Sequence, residues 1–156
     1  MTVFNAGPVI MESVSAVTAT PSIEVGTVYR KGDEQYIYVY NAGNSQISPG
    51  FGATVSGVSG YSVTVSTVTS TDFVVGVCQH ATLTTATYGW LLTTGFGQVS
   101  MGASDSAAAG GLLGVAVDGA FCLQSSATGH TAPAFAKAMA AIASGVSGTA
   151  FIRCGF

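Results

Sequence analysis

The sequence predicts a mainly β protein: a small β-barrel or sandwich body with one late α-helix before the final strand and an extended N-terminal arm, an α+β outline dominated by β. Three observations carry this. Short β-branched and aromatic runs bounded by glycine recur from Val25 onward. One late segment bears a single apolar stripe at helical spacing, and residues 1–25 sustain neither a strand nor a helix period. A chain of 156 residues suits one domain, long enough to bury about 70% of the surface it exposes when unfolded. The boundaries expected are an arm at 1–25 and a single β-rich domain at 26–156.

The arm places Val3, Phe4, Val9, Ile10, Met11 and Val14 among small polar residues, interrupted by Pro8 and Pro21. Phe4, Val9, Ile10, Met11 and Val14 have no evident place in a body whose strands start at Val25, which makes them the candidate interface residues. The prolines hold such an arm extended, ready to lie across a partner or add to a neighbour's sheet. The alternative is an arm that folds back and completes its own body. The expected strands follow in "GTVYR", "QYIYVYNAG", "ATVSGVSGYSVTVSTVTS", "FVVGVCQ", "GWLLTTGFGQVSM" and "LLGVAVDGAFCLQ". Alternation in "YSVTVST" marks a half-exposed strand, whereas "YIYVY" is apolar on both faces and must be covered on both.

The helix is expected in "HTAPAFAKAMAAIASGVSG". Thr131 caps it, Pro133 suits its first turn, Phe135, Met139 and Ile142 fall at i, i+4 and i+7, and Gly145 ends it. "TAFIRC" then returns to the sheet with Arg153 pointing outward. The stretches "YVYNAGNSQISPG" and "VSMGASDSAAAGG" echo each other, each running from a strand through a bend, where Asn44 or Asp105 favours the turn, to a glycine. At that similarity no duplication is assigned.

Composition excludes more than it proposes. Charged residues are 7% of the chain and the net charge is −3, against about a quarter charged in ordinary domains. The only basic residues, Arg30, Lys31, Lys137 and Arg153, are scattered, so no cationic stripe meets a nucleic-acid backbone. No uninterrupted apolar run is long enough for a membrane helix. A neutral surface does little to keep copies apart, which favours an assembly. Cys78, Cys122 and Cys154 are odd in number and far apart, as expected of reduced thiols made in a cytoplasm. With His80 and His130 they lack metal-ligand spacing, since only Cys78 and His80 stand close. No G-x-S-x-G elbow marks a nucleophile among the many serines, Asp33 and Glu34 read as a solvated turn, and the glycine-rich stretches lack a phosphate-loop ending. Neither catalytic residues, nor a metal, nor a cofactor are expected. Tyr88, Trp90 and Phe96 offer either a sugar-stacking platform or packing, and Trp90, the single tryptophan, is taken as the structural anchor.

The order "GTVYRKGDEQYIYVYNAGNSQISPG", "VVGVCQHATL", "YGWLLTTGFGQVSM", "AAAGGLL" and "AMAAIASGVSGTAFIRC" resembles the capsid decoration (cement) proteins of tailed bacteriophages over roughly residues 25 to 154. It departs from their pattern in the long loop "QSSATGHTAP" and at Ala138, where a glycine often opens the late helix. The resemblance implies a non-enzymatic virion protein, made in the host cytoplasm and carried on the capsid exterior. Its implied partners are the major capsid protein and further copies of itself, a homotrimer in the first instance. The competing expectation is a carbohydrate- or receptor-binding module on a phage surface or fibre.

Overall fold

The computed structural model describes residues 13–56, 61–65, 73–124 and 133–154. Its strands are β1 (Val28–Lys31), β2 (Glu34–Asn41), β3 (Gly52–Val55), β4 (Ser62–Val65), β5 (Val74–Cys78), β6 (Tyr88–Ser100), β7 (Leu112–Val115), β8 (Phe121–Leu123), β9 (Ala136–Ala138) and β10 (Ser147–Arg153). They form one ten-stranded sheet in the order β1-β2-β4-β3-β5-β6-β10-β9-β7-β8, with β2 also pairing to β6. All these pairings are antiparallel except β2 with β4.

Two expectations are corrected. The ten strands form one continuous sheet, which as a whole is neither closed into a barrel nor split into a sandwich. The late α-helix does not form: among the described residues the only helical turn is a 3₁₀ turn at Val117–Gly119. The alanine-rich segment instead supplies β9, an interior strand in which Ala136 faces Leu113 on one side and Ile152 on the other. Phe135 and Ile142 are buried while Met139 is exposed, so the supposed stripe is divided between two surfaces. Helix propensity contributes at most about 1 kcal/mol per residue, and two flanking ladders outweigh it. Thr131, the expected cap, lies outside the described residues.

The echo in the sequence is a repeated architecture. β2, β3, β4, β5 and the first half of β6 form one unit; the second half of β6 with β7, β8, β9 and β10 forms another. In the first, Ile47 and Leu83 exchange two backbone hydrogen bonds of 2.9 Å; in the second, Ala107 and Ile142 do so at 2.9 and 2.8 Å. Gly50 N–H donates to Cys78 as Gly110 donates to Ala138, and Cys78 donates to Phe51 as Ala138 donates to Gly111. Even the parallel contact recurs, Asn41 beside Val63 and Met101 beside Phe121. β6 belongs to both units because Tyr88–Thr94 pairs with β2 and Thr94–Ser100 with β10. Asn41, fully buried, organises the first connector: its Nδ2 donates to Ser45 and Leu83 carbonyls and its Oδ1 accepts from Gly43 N–H.

Two cores follow. Ile37, Val39, Ala53, Val63, Val75 and Leu91 fill the first unit. Tyr36, Tyr38, Trp90 and Leu92, from that unit's outer wall, join Val99, Leu113, Phe121 and Ile152 of the second. Alternate residues of β2 thus enter different cores, which is the two-sided burial that "YIYVY" demands. From Ser13 onward the expected arm lies on this body: Thr18 exchanges backbone bonds with Tyr88, and Val14, Ile23 and Val25 pack on the second core.

The strands are entered through one turn, used repeatedly. Backbone bonds close Glu24 to Thr27, Ser48 to Phe51, Ala108 to Gly111 and Ala143 to Val146, with a positive-φ glycine third in each. At Thr84–Thr87 the third residue is Ala86, with φ 59°, a left-handed conformation that costs a non-glycine residue about 1–2 kcal/mol. Ala86→Gly is therefore expected to stabilise the protein by up to about 1 kcal/mol, net of the added chain entropy. Gly50→Ala is expected to destabilise it by more than about 1 kcal/mol, since the new carbon would stand 2.5 Å from Ser100 Oγ and 3.0 Å from Ser100 N. Denaturant unfolding of the two variants checks both signs.

Candidate interaction surface

The groups with chemical potential are dispersed or withdrawn. Cys78, Cys122 and Cys154 are free and buried. Burial pushes their thiols up to about 11, about 11 and about 12, with Asp105 adding to the effect at Cys122. His80 is exposed and stacks on Tyr36 with ring centroids 6.1 Å apart; His130 lies outside the described residues. The Tyr36 phenol donates to Glu34 Oε2 at 2.9 Å, and burial first, then Glu34, raises it well above the usual range. Among the described residues no three His, Cys, Asp or Glu side chains come together as a metal site. Asp33 lies in the two-residue turn between β1 and β2, with Gly32 at positive φ as the first central residue.

Trp90 is 5% exposed. Its ring lies 5.1 Å from that of Tyr38 and 6.1 Å, edge-on, from that of Tyr29. Tyr88 stacks on Tyr38, whose hydroxyl meets Thr18 Oγ1 at 3.3 Å. Phe96, the third aromatic considered for a sugar platform, stands six residues further along β6, about 20 Å at strand rise, and packs edge-on against Phe151 at 5.2 Å. The structure does not bring the three onto one surface. Among the interface candidates, Val14 is half-buried against the body; Phe4, Val9, Ile10 and Met11 lie outside the described residues.

A different surface emerges from the strand register. Phe96 faces Phe151, Phe151 faces Lys137, and Lys137 faces Leu112, across β6, β10, β9 and β7. Directly opposed residues project from the same face of a sheet. Phe96, Phe151 and Leu112 are 52%, 37% and 51% exposed, an apolar row with one cation in it. Met139 and Arg153 flank the row, and two shallow depressions of about 340 and 350 Å³ share Phe151 and Lys137 as walls. The row is assembled from four separate strands, and nothing in the local pattern of any one of them announces it.

Two outcomes follow from the buried groups. A thiol whose folded pKa is raised binds its proton more tightly than the unfolded chain does, so its contribution is complete below the ordinary value of 9.0 and lost as pH rises toward about 11–12. Chemical denaturation at stepped pH should therefore show stability falling above pH 9, with the fall reduced in Cys154→Ala. Trp90→Ala should cost about 3–5 kcal/mol. Trp90→Phe should cost much less, because the buried indole Nε1 has no hydrogen-bond partner among the described residues to lose. Equilibrium unfolding separates the two.

No family model matches the chain, and no curated protein does. Among solved structures it is similar to the head fiber gp8.5 N base of bacteriophage phi29, with a TM-score of 0.55 and 13% sequence identity over 77% of this chain and 96% of that one. That neighbour is described as a head fiber, which does not single out the capsid decoration family for this chain, and at this identity what the two chains share is the fold.

Proposed function

We propose that the chain is a structural protein of a phage virion, a decoration protein that sits as a homotrimer on the outer surface of an icosahedral head and clamps neighbouring major capsid subunits. The observation that carries the reading is the fold held in common with nearly the whole N base of a phage head fiber. The chain's surface supports it: few charges, abundant hydroxyls and, among the described residues, an exposed apolar row where a neighbour can seat. A displayed protein of this kind acts by contact, through buried apolar area and backbone edges. The segment before Ser13, with Phe4, Val9, Ile10 and Met11, contacts the capsid, and Val14, Ile23 and Val25 fasten the chain that follows it to the body.

Heads prepared without the protein and mixed with purified chain test the proposal. Saturable co-sedimentation and an elevated head disruption temperature are expected, with a three-copy mass in sedimentation. Failure to bind heads, together with absence of the chain from purified virions, overturns it. Deleting residues 2–12 should leave the unfolding midpoint of the body within about 0.5 kcal/mol of the full chain, as for changes away from a core, while weakening head binding at least about tenfold.

A further inference from the structure

The exposed row has a twin inside the same molecule. In the first unit Tyr36 faces Leu92, Leu92 faces Val77, and Val77 faces Gly52. These are the positions that Phe96, Phe151, Lys137 and Leu112 hold in the second. The first row is buried, Tyr36 being 3% exposed and Leu92 and Val77 wholly covered. Its cover is the second unit. A side chain on Gly52 would reach within 2.7 Å of Val115 Cγ2, and one on Gly97 within 2.7 Å of Leu92 Cδ2. Gln79 ties the junction, its side chain donating to the Gln98 carbonyl at 3.0 Å and accepting from Gln98 N–H at 2.7 Å.

The other half of this contact also has an unoccupied twin. Val115 of β7, which seats against Gly52, is 2% exposed. Val55 holds the same place in β3, since Val55 faces Val63 of β4 as Val115 faces Phe121 of β8. Val55 is 40% exposed. The chain therefore carries one interface made internally and both complementary halves of it left open, one at each end of the tandem.

We propose that a second copy of this chain occupies the Phe96–Phe151–Lys137–Leu112 row, presenting the rim of its first unit around Val55, so that copies associate head to tail through a repeat of the internal junction. Resting as it does on the reading that copies associate, the contact is heterologous, and it closes into a ring if the rotation permits. It is not an identical copy of the internal one. Leu112 stands where Gly52 admits Val115, so two copies meet about one side chain further apart than two units do, with the Phe96 and Phe151 rings and the Lys137 stem filling the added depth.

Two full-length chains of different tag length, one Val55→Cys and one Leu112→Cys, test this under mild oxidation. The native thiols are buried, so the introduced pair reacts. A disulfide-linked species with one copy of each is expected from the mixture and not from either chain alone, and Phe96→Asp in the Leu112→Cys chain should abolish it. In the otherwise unaltered protein Phe96→Asp should weaken association at least about tenfold with an unchanged unfolding midpoint, the site being exposed. An oligomeric parent that gives no mixed disulfide and tolerates Phe96→Asp overturns this interface alone, as does linkage of Val55→Cys to itself. A parent that stays monomeric both free and on heads overturns self-association and the interface with it.

Discussion

The structure depends on the packing of the first unit's outer wall beneath the second unit. Tyr36, Tyr38, Trp90 and Leu92 project from strands whose other faces already fill a core. Burying a large side chain is worth about 1.5–3 kcal/mol, and this wall contributes four on the side that an ordinary half-exposed sheet leaves wet. Neither unit is complete without the contact. The first would expose an aromatic wall, and the second would lose the surface on which Val115 and the Gly97 backbone rest.

Glycine sets how close that contact is. Gly52 and Gly97 stand where the units pack closely, and a single added carbon at either would intrude on a neighbour. The polar junction beside them is economical: Gln79 satisfies both backbone groups of Gln98 with one side chain. Asn41 does comparable work inside the first unit, binding three backbone groups of a connector that has to turn within the protein's interior. Buried Thr93 likewise donates to the Gln35 carbonyl, so that Asn41 and Thr93 are both placed where main chain needs partners.

The strands were legible in the sequence because glycine-bounded β-branched runs leave little alternative, and the two-sided burial of β2 was legible from an unbroken apolar run. β9 was not. Ala136 and Ala138 are small because they lie between two ladders, and small residues in series carry helix propensity whatever their setting. The duplication was visible only as a weak echo because what the units share is backbone geometry: Ile47 corresponds to Ala107 and Ala86 to Gly145, so the turn persists where side chains diverge. The exposed row was beyond reach, since Phe96, Leu112, Lys137 and Phe151 become neighbours only through the register of four strands. Trp90, the single tryptophan, is buried; Phe96, on the same strand, reaches the open surface.

The sharing of β6 has a mechanical consequence. Its first half is laddered to β2 and its second to β10, so a pull along that strand loads both ladders in shear, with many hydrogen bonds resisting together and none peeling first. Neither unit can be drawn out while the other stays intact, because the strand that would leave one is the strand that holds the other. Along that strand the tandem bears load as one body carrying two copies of a motif.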